Sequence, residues 1–124
     1  LGKLMHLALD RGDLQFACKD IARGNCRPQV IHVWKLHRAV RFLWHHRSWR
    51  LRLVARPGPV QIEAHADSDW GGELKTRRST SGGVVSVWGG ALHTWSRTQA
   101  CVALSSAEAE YYALVRGACY GLGL

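Results

Sequence analysis

The order of residue patterns in the second half of the chain constrains the fold more than any other feature. Four apolar residues alternate with polar ones and predict a half-buried strand: Val60, Ile62, Ala64 and Ala66. Two further strands are predicted at 84–88 and 91–96, because Gly89-Gly90 between them can supply the positive φ angles of a tight hairpin turn. A strand, a hairpin and a following helix indicate a mixed α/β fold in the broad sense, more narrowly of the α+β class.

The helix is predicted from about residue 106 to residue 120. Ser105 and Glu108 have the spacing of a capping box. The stripe expected to pack on the sheet consists of Ala107, Tyr111, Leu114, Ala118 and Leu122. Glu110 lies at the edge of this stripe, about 40° from Leu114 on a helical wheel. A carboxylate there loses part of its hydration, and this costs free energy unless a nearby cation compensates. Three glycines are expected to weaken the helix by roughly 1 kcal/mol each relative to alanine: Gly117, Gly121 and Gly123.

A Pro-Gly-Pro break at residues 57–59 separates two parts of different charge. Residues 1–56 hold 12 Lys and Arg against 3 Asp, a net charge of +9, whereas residues 57–124 hold 5 basic and 6 acidic residues, a net charge of −1. We therefore predict a boundary here, with a basic helical segment at 1–56 and a second domain at 57–124. The basic segment indicates a polyanionic partner, most simply nucleic acid; the alternative is a solvated basic face that serves solubility.

The basic segment is predicted to contain helices at 13–23 and 28–45, with Pro28 in the first turn of the second, and a short strand at 51–55. One side of the second helix is apolar and is expected to face the core: Val30, Val33, Trp34, Leu36, Val40 and Trp44. Lys35 and Arg38 lie on the other side and Arg41 at the border, so these three cations are the candidate nucleic-acid contacts.

Cysteine spacing and hydropathy exclude several classes of protein. The four cysteines form no CxxC pair, which argues against a zinc site, and their scatter argues against a secreted disulfide framework. No apolar run approaches the ~18 residues that span a bilayer. We expect an intracellular protein located in the cytoplasm, without a membrane anchor. Since Leu1 stands in place of Met and the chain stops within a Gly-Leu repeat, we expect it to be cut from a longer polypeptide.

Two carboxylate features suggest chemistry. Asp67, with Asp69, ends the first predicted strand, and Glu110 lies on the helix that should cover the sheet. Such a pair could bind Mg²⁺, which takes carboxylate oxygens and keeps several waters, and two such ions can promote phosphodiester cleavage. Each residue also has a simpler explanation, since Asp often starts a turn and Glu on a helix is usually solvated. Arg77 and Arg78, in the polar loop between the first two strands, are candidate phosphate contacts, with solvated loop charges as the alternative.

Three motifs give the chain a resemblance to a known family. The motifs are His-Ala-Asp-Ser-Asp-Trp at 65–70, Arg-Arg-Ser-Thr-Ser-Gly at 77–82 and Ala-Leu-Ser-Ser-Ala-Glu-Ala-Glu-Tyr-Tyr-Ala-Leu at 103–114. In this order and spacing they resemble the ribonuclease H domain of copia-type LTR retrotransposon Pol polyproteins. Residues 10–23 and 28–44 resemble the stretch between the reverse transcriptase and that domain, with the family's "DRPDL" present as Asp-Arg-Gly-Asp-Leu at 10–14.

The resemblance implies a ribonuclease H-like fold, with a five-stranded mixed sheet and helices, that hydrolyses the RNA strand of RNA–DNA hybrids with two Mg²⁺ ions. Asp67 and Glu110 match the family's catalytic carboxylates, and Asp69 matches a position shared within the copia type. The family's further Asp residues lie after this helix, so the resemblance implies a fold truncated after three strands and one helix, with the remainder of the Pol polyprotein as a partner. We therefore expect the fragment to be inactive and to hold at most one ion weakly. The rival interpretations are a non-catalytic nucleic-acid-binding remnant and a degenerate open reading frame.

Overall fold

The computed structural model describes residues 1–123 and divides into two compact units, Leu1–Arg50 and a second that begins at Leu51. The division lies six residues before the boundary expected from the Pro-Gly-Pro break. A Cβ placed on Gly90 would lie 2.9 Å from Leu53 Cδ2. The residues just before the break therefore already pack against the hairpin of the second unit.

The first unit is helical. It contains helices α1 (Gly2–Leu7), α2 (Gln15–Ala22) and α3 (Val30–His45), with a 3₁₀ turn at Gly12–Leu14 before α2. Both predicted helices are thus present. Its core consists of Leu4, Ala8, Leu14, Cys18, Ile21 and Ala39. The Cys18 thiol donates to the Leu4 carbonyl at 3.6 Å, and burial raises its pKa above the usual thiol value.

Helix α3 begins later than its sequence suggested. Its N-cap is Gln29, whose side chain accepts from the backbone of His32 and whose backbone N–H donates to His32 Nδ1 at 3.0 Å. Pro28 consequently precedes the cap and does not lie in the first turn. The reciprocal Gln29–His32 pair satisfies N–H groups that have no partner within the helix.

The side of α3 that packs inward shares only Leu36 with the predicted one. Five residues of the expected core side are exposed: Val30, Val33, Trp34, Val40 and Trp44. The buried side carries Ala39, with Phe42 and Leu43 partly buried against the same core. The ion pair between Lys35 Nζ and Asp20 Oδ2, at 2.7 Å, joins α3 to α2 on this side. Two short helices cover only one face of α3, and that face is the one with the small residue and the ion pair.

The second unit contains a three-stranded antiparallel sheet in the order β1 (Ile62–Ser68), β2 (Thr80–Val87) and β3 (Gly90–Thr98), followed by α4 (Ser106–Leu122). The mixed α/β class is therefore confirmed. Among residues 1–123, β1 pairs only with β2, which leaves its other edge open. The strand expected at 51–55 is absent; those residues have no regular secondary structure.

Strand β2 begins four residues earlier than expected, because Gly82 and Gly83 belong to it, and β3 is longer than expected at both ends. Gly83 lies opposite Trp95 of β3, and a Cβ at Gly83 would collide with the Trp95 ring and the His65 carbonyl oxygen. Trp95 is only 5% exposed, so the missing side chain provides its space. The hairpin turn is made by Trp88 and Gly89, at φ 50° and 77°, one residue earlier than expected; Gly90 already belongs to β3.

Helix α4 packs on β1 and β2 through small residues. Its buried positions are Ala109, Ala113 and Gly117. A Cβ on Gly117 would lie 3.2 Å from Ala66 Cβ, so glycine allows close approach of helix and strand. The expected stripe was wrong: Tyr111, Leu114 and Leu122 are 61% or more exposed. None of the helices within residues 1–123 has the length and apolar character needed to cross a membrane.

Candidate active site

Asp67 is the penultimate residue of β1 and lies opposite Gly82 of β2. It is exposed. Within residues 1–123 its carboxylate makes no hydrogen bond or ion pair, which leaves both oxygens available to solvent or to a cation. Because β1 is an edge strand, Asp67 lies beside unpaired backbone on one side.

Glu110 lies in the second turn of α4 and is also exposed, with no side-chain partner among the described residues. In Glu108, by contrast, the N–H and both carboxylate oxygens make hydrogen bonds at the start of the helix. The Glu108 N–H donates to Ser105 Oγ at 3.1 Å, and Glu108 Oε2 accepts from the Leu104 N–H at 2.7 Å. Glu108 Oε1 accepts from the Tyr112 hydroxyl at 3.1 Å. The predicted N-terminal cap is confirmed, and the two glutamates have distinct surroundings.

The packing of α4 brings Asp67 and Glu110 to the same end of the helix–sheet layer. Gly117 lies against Ala66, and a Cβ on Gly121 would lie 3.8 Å from Ala64 Cβ. The helix therefore runs antiparallel to β1, and its first turns lie towards the carboxyl end of the strand. Successive side chains of a strand point to opposite faces of the sheet. Since Ala66 faces α4, Asp67 projects from the sheet face that α4 does not cover. An ion shared by the two carboxylates would have to lie at the open edge of β1.

Side-chain hydrogen bonds of Gln99, which is buried, and of Trp70, which is 56% exposed, hold the segment that leads into α4. Gln99 Nε2 donates to Ser81 Oγ and to the Ala109 carbonyl, each at 2.8 Å. The Trp70 indole N–H donates to the Ala103 carbonyl at 3.1 Å. No pattern in the sequence singles out Gln99 or Trp70 as a structural contact. The partners of Gln99 lie 10 and 18 residues away in the sequence, so a local pattern cannot show that Gln99 is buried. Trp70 belongs to the first of the three family motifs, at 65–70.

Asp69 holds the loop between β1 and β2. Its Oδ1 accepts from the Thr80 N–H at 2.6 Å, and its own N–H donates to the Thr80 carbonyl at 3.1 Å. Nearby, the buried Ser79 Oγ accepts from the Gly71 N–H at 3.1 Å. Asp commonly bonds to loop backbone in this way, a signal that the sequence offered. A ligand role for Asp69 stays a prediction, with one oxygen already engaged.

Arg77 and Arg78 lie in the same loop, and both are exposed. Arg77 has a φ of 54°, and its N–H donates to the Glu73 carbonyl at 2.6 Å. The Glu73 N–H in turn donates to the Arg78 carbonyl at 3.1 Å. The loop is therefore tied by its own backbone, and it leaves β1 at the end where Asp67 lies. Phosphate contact by either arginine stays a prediction.

The three cations predicted on α3 differ in their surroundings. Lys35 is held in its ion pair with Asp20, and contact of Lys35 with nucleic acid stays a prediction. Arg38 and Arg41 are exposed and make no ion pair within residues 1–123. The reason for the difference is the orientation of α3, which turns Lys35 towards α2.

A Mg²⁺ site stays a prediction. No group of three or more His, Cys, Asp or Glu side chains is clustered for metal binding within residues 1–123. Asp67 and Glu110 are hard oxygen donors that suit a hydrated Mg²⁺. Two divalent cations repel strongly at close range and need more carboxylates around them.

Comparisons with known proteins connect the chain to retrotransposons. The chain is 35% identical over 115 residues to "Secreted RxLR effector protein 161" of Plasmopara viticola, covering 92% of this chain and 80% of that protein. It is 31% identical over 115 residues to an uncharacterized mitochondrial protein of Arabidopsis thaliana, covering 92% of this chain and 47% of that protein. It is 29% identical over 111 residues to the retrovirus-related Pol polyprotein from transposon RE1 of Arabidopsis thaliana, covering 90% of this chain but 8% of the polyprotein.

No family model matches the chain, and no solved structure matches it. The chain spans most of the Plasmopara viticola protein, about half of the mitochondrial protein and a small part of the polyprotein. The chain therefore belongs to one family with the Plasmopara viticola protein, and it is homologous to retrovirus-related Pol polyproteins of plant transposons.

Proposed function

We propose that the chain carries part of the ribonuclease H site of a retrotransposon Pol polyprotein, which hydrolyses the RNA strand of RNA–DNA hybrids. The observation that carries this proposal is the placement of two exposed, unpartnered carboxylates, Asp67 and Glu110, at one end of the α4–β1 layer. Three motifs of the copia-type ribonuclease H domain support it, because two of them contain these carboxylates. The antiparallel β1-β2-β3 order with a helix on β1 and β2 is compatible with a ribonuclease H-like fold.

In this proposal Asp67 and Glu110 hold a hydrated Mg²⁺ at the open edge of β1. When bound, Mg²⁺ activates water and stabilises a leaving oxygen in phosphodiester cleavage. Asp69 positions the loop through Thr80, and Arg77 and Arg78 bring positive charge to the same end. Further carboxylates for a second ion, together with a strand on the open edge of β1, come from the remainder of the Pol polyprotein.

The test uses a fusion protein in which the carboxyl-terminal half of an intact copia-type ribonuclease H domain follows Leu124. The assay measures cleavage of a labelled RNA–DNA hybrid in the presence of Mg²⁺. We expect cleavage by the fusion and none by the 124-residue chain. Asp67→Asn and Glu110→Gln should each abolish cleavage while hybrid binding is kept, because each removes one charged oxygen donor from the ion.

Glu108→Gln is the matched control. It lies on the same helix as Glu110, keeps the size of the side chain and changes only the contacts of the helix terminus. We expect its cleavage rate to stay close to that of the fusion. Robust cleavage by the unfused chain that survives Asp67→Asn would refute the site, as would equal losses in Glu108→Gln and Glu110→Gln.

A second candidate function is nucleic-acid binding without catalysis, favoured by the exposed, unpaired Arg38 and Arg41 in a strongly basic unit. Its signature would be hybrid binding by the fusion with no cleavage at any Mg²⁺ concentration. In either case a cytoplasmic location stays a prediction.

A further inference from the structure

The outward face of α3 combines aromatic rings with positive charge. We define this face by five residues: Trp34, His37, Arg38, Arg41 and Trp44. Trp34 and Trp44 are 68% and 66% exposed, and the three polar residues are exposed as well. Large aromatic side chains contribute strongly to cores, so two exposed tryptophans on one helix face need an explanation.

The charge around this face is almost entirely positive. Helix α3 contains no Asp or Glu, and residues 1–50 hold 10 Lys and Arg against 3 Asp. Two of those three aspartates are used in ion pairs elsewhere, Asp13 with Arg11 and Asp20 with Lys35. No ion pair among residues 1–123 involves Arg38 or Arg41, and a polyanion is the partner of complementary charge.

The Trp44 ring is held in a position suited to stacking. The Arg47 guanidinium lies 4.8 Å from the centre of this ring, and Arg47 Nη1 also donates to the Trp44 carbonyl at 3.1 Å. The guanidinium therefore covers one side of the indole and adds a cation beside it. The exposure of Trp44 leaves the rest of the ring open to a ligand.

The Trp34 ring adjoins a groove between α1 and α3. This groove has a volume of about 910 Å³. Its walls are mostly apolar, formed by Leu4, Leu7, Leu36, Val40 and Leu43. Lys3 and Arg41 also line it. A planar apolar group with a negative charge next to it would be complementary to this groove.

We propose that the outward face of α3 binds single-stranded nucleic acid, with bases stacked on Trp34 and Trp44 and phosphates beside Arg38 and Arg41. Ten residues separate the two tryptophans, a distance of roughly 15 Å along a helix at 1.5 Å per residue, which gives room for more than one base. A single strand offers the faces of its bases, and base–aromatic stacking is tolerant of sequence. A duplex hides those faces within its own stack. This site does not depend on the proposed nuclease activity.

The test is fluorescence anisotropy of a labelled 20-nucleotide oligothymidylate with the 124-residue chain, compared with a duplex of the same length. Trp34→Ala/Trp44→Ala should weaken single-strand binding by roughly 30-fold or more, from stacking of one base on each ring. Duplex binding should change less than threefold. Trp34→Phe/Trp44→Phe keeps aromatic faces and should recover most of the loss. Arg38→Gln/Arg41→Gln should lower the slope of log affinity against log salt by about 0.7 for each lost contact.

Leu9→Ala is the matched control, because Leu9 is exposed in the same unit but lies outside α3. It should leave both affinities unchanged. Circular dichroism checks that each variant keeps its helices, and the Phe variant tests stacking even if the Ala variant unfolds. No binding of the oligothymidylate, unchanged affinity without the tryptophans, or an equal loss for single strand and duplex would each overturn the proposal. Unchanged affinity without the tryptophans would indicate that the outward face of α3 binds a protein partner instead.

Discussion

Replacement of Gly83 by alanine tests the packing at the centre of the second unit. Gly83 pairs with Ala66 on one side and Trp95 on the other. An added Cβ would collide with the Trp95 ring and with the His65 backbone carbonyl. Neither neighbour moves easily: the carbonyl belongs to a strand, and the ring is also packed on Tyr120 with centroids 5.0 Å apart.

The expected cost follows from two opposing effects. Overpacking a well-packed core costs about 1–3 kcal/mol, and the backbone contact places Gly83→Ala towards the upper end. Alanine returns about 0.5–1 kcal/mol, because glycine loses more chain entropy on folding. The net destabilisation is about 1–2.5 kcal/mol by these figures. For a domain of 60–100 residues each 1 kcal/mol corresponds to about 4–8 °C in Tm.

Gly82→Ala is the matched control one residue away. A Cβ there would meet only the Trp95 carbonyl oxygen, at an ordinary 3.5 Å, so we expect stability unchanged or slightly raised. The assay is urea unfolding at low micromolar concentration, followed by far-ultraviolet circular dichroism. A Gly83→Ala midpoint equal to that of Gly82→Ala would refute the argument that Gly83 makes room for Trp95.

Three further predictions concern the cysteines, the open edge and the loop arginines. A thiol reagent should label Cys26, Cys101 and Cys119 quickly and Cys18 only on unfolding, because Cys18 is buried with a raised pKa; fast labelling of four thiols in the folded chain would contradict this. The open edge of β1 should cause self-association as the protein concentration rises, as unpaired strand edges do, and Ile62→Lys should reduce it in light scattering; a parent chain that stays monomeric at high concentration would count against the idea. In the fusion, Arg77→Ala/Arg78→Ala should raise the apparent Kd for hybrid, and an unchanged Kd would leave both as solvated loop charges.

The sequence predicted the elements of the second unit but not their limits. Alternation identified β1, and Ser105 with Glu108 identified the start of α4. Strand β2 begins at Thr80 and not at Val84, so it includes Gly82 and Gly83, although glycine is depleted in strands. Their strand conformation depends on Trp95 in the neighbouring strand, which a local pattern cannot show.

The candidate site was predictable to the extent that it rests on local motifs. The motifs selected Asp67 and Glu110, and the structure places both at one end of the helix–sheet layer. The loop contacts of Asp69 could have been expected from its residue type, since Asp often bonds to nearby backbone. The ion pair of Lys35 with Asp20 could not, because it depends on which side of α3 meets α2.

Both long helices expose large apolar side chains that the sequence pattern assigns to the core: Trp34 and Trp44 on α3, and Tyr111 and Leu114 on α4. A hydrophobic wheel weights each residue by its apolar surface, so Trp34, Trp44, Tyr111 and Leu114 decided the predicted faces. The distance between packed elements is instead set by the smallest side chains. Ala39 lies in the core of the first unit, and Ala109, Ala113 and Gly117 are buried in the second. Closer approach gives more dispersion contacts per residue. Helix α4 therefore packs its small-residue face tightly on the sheet and leaves Tyr111 and Leu114 exposed. On α3 the single small residue Ala39 is buried, while the larger Phe42 and Leu43 beside it are only partly buried.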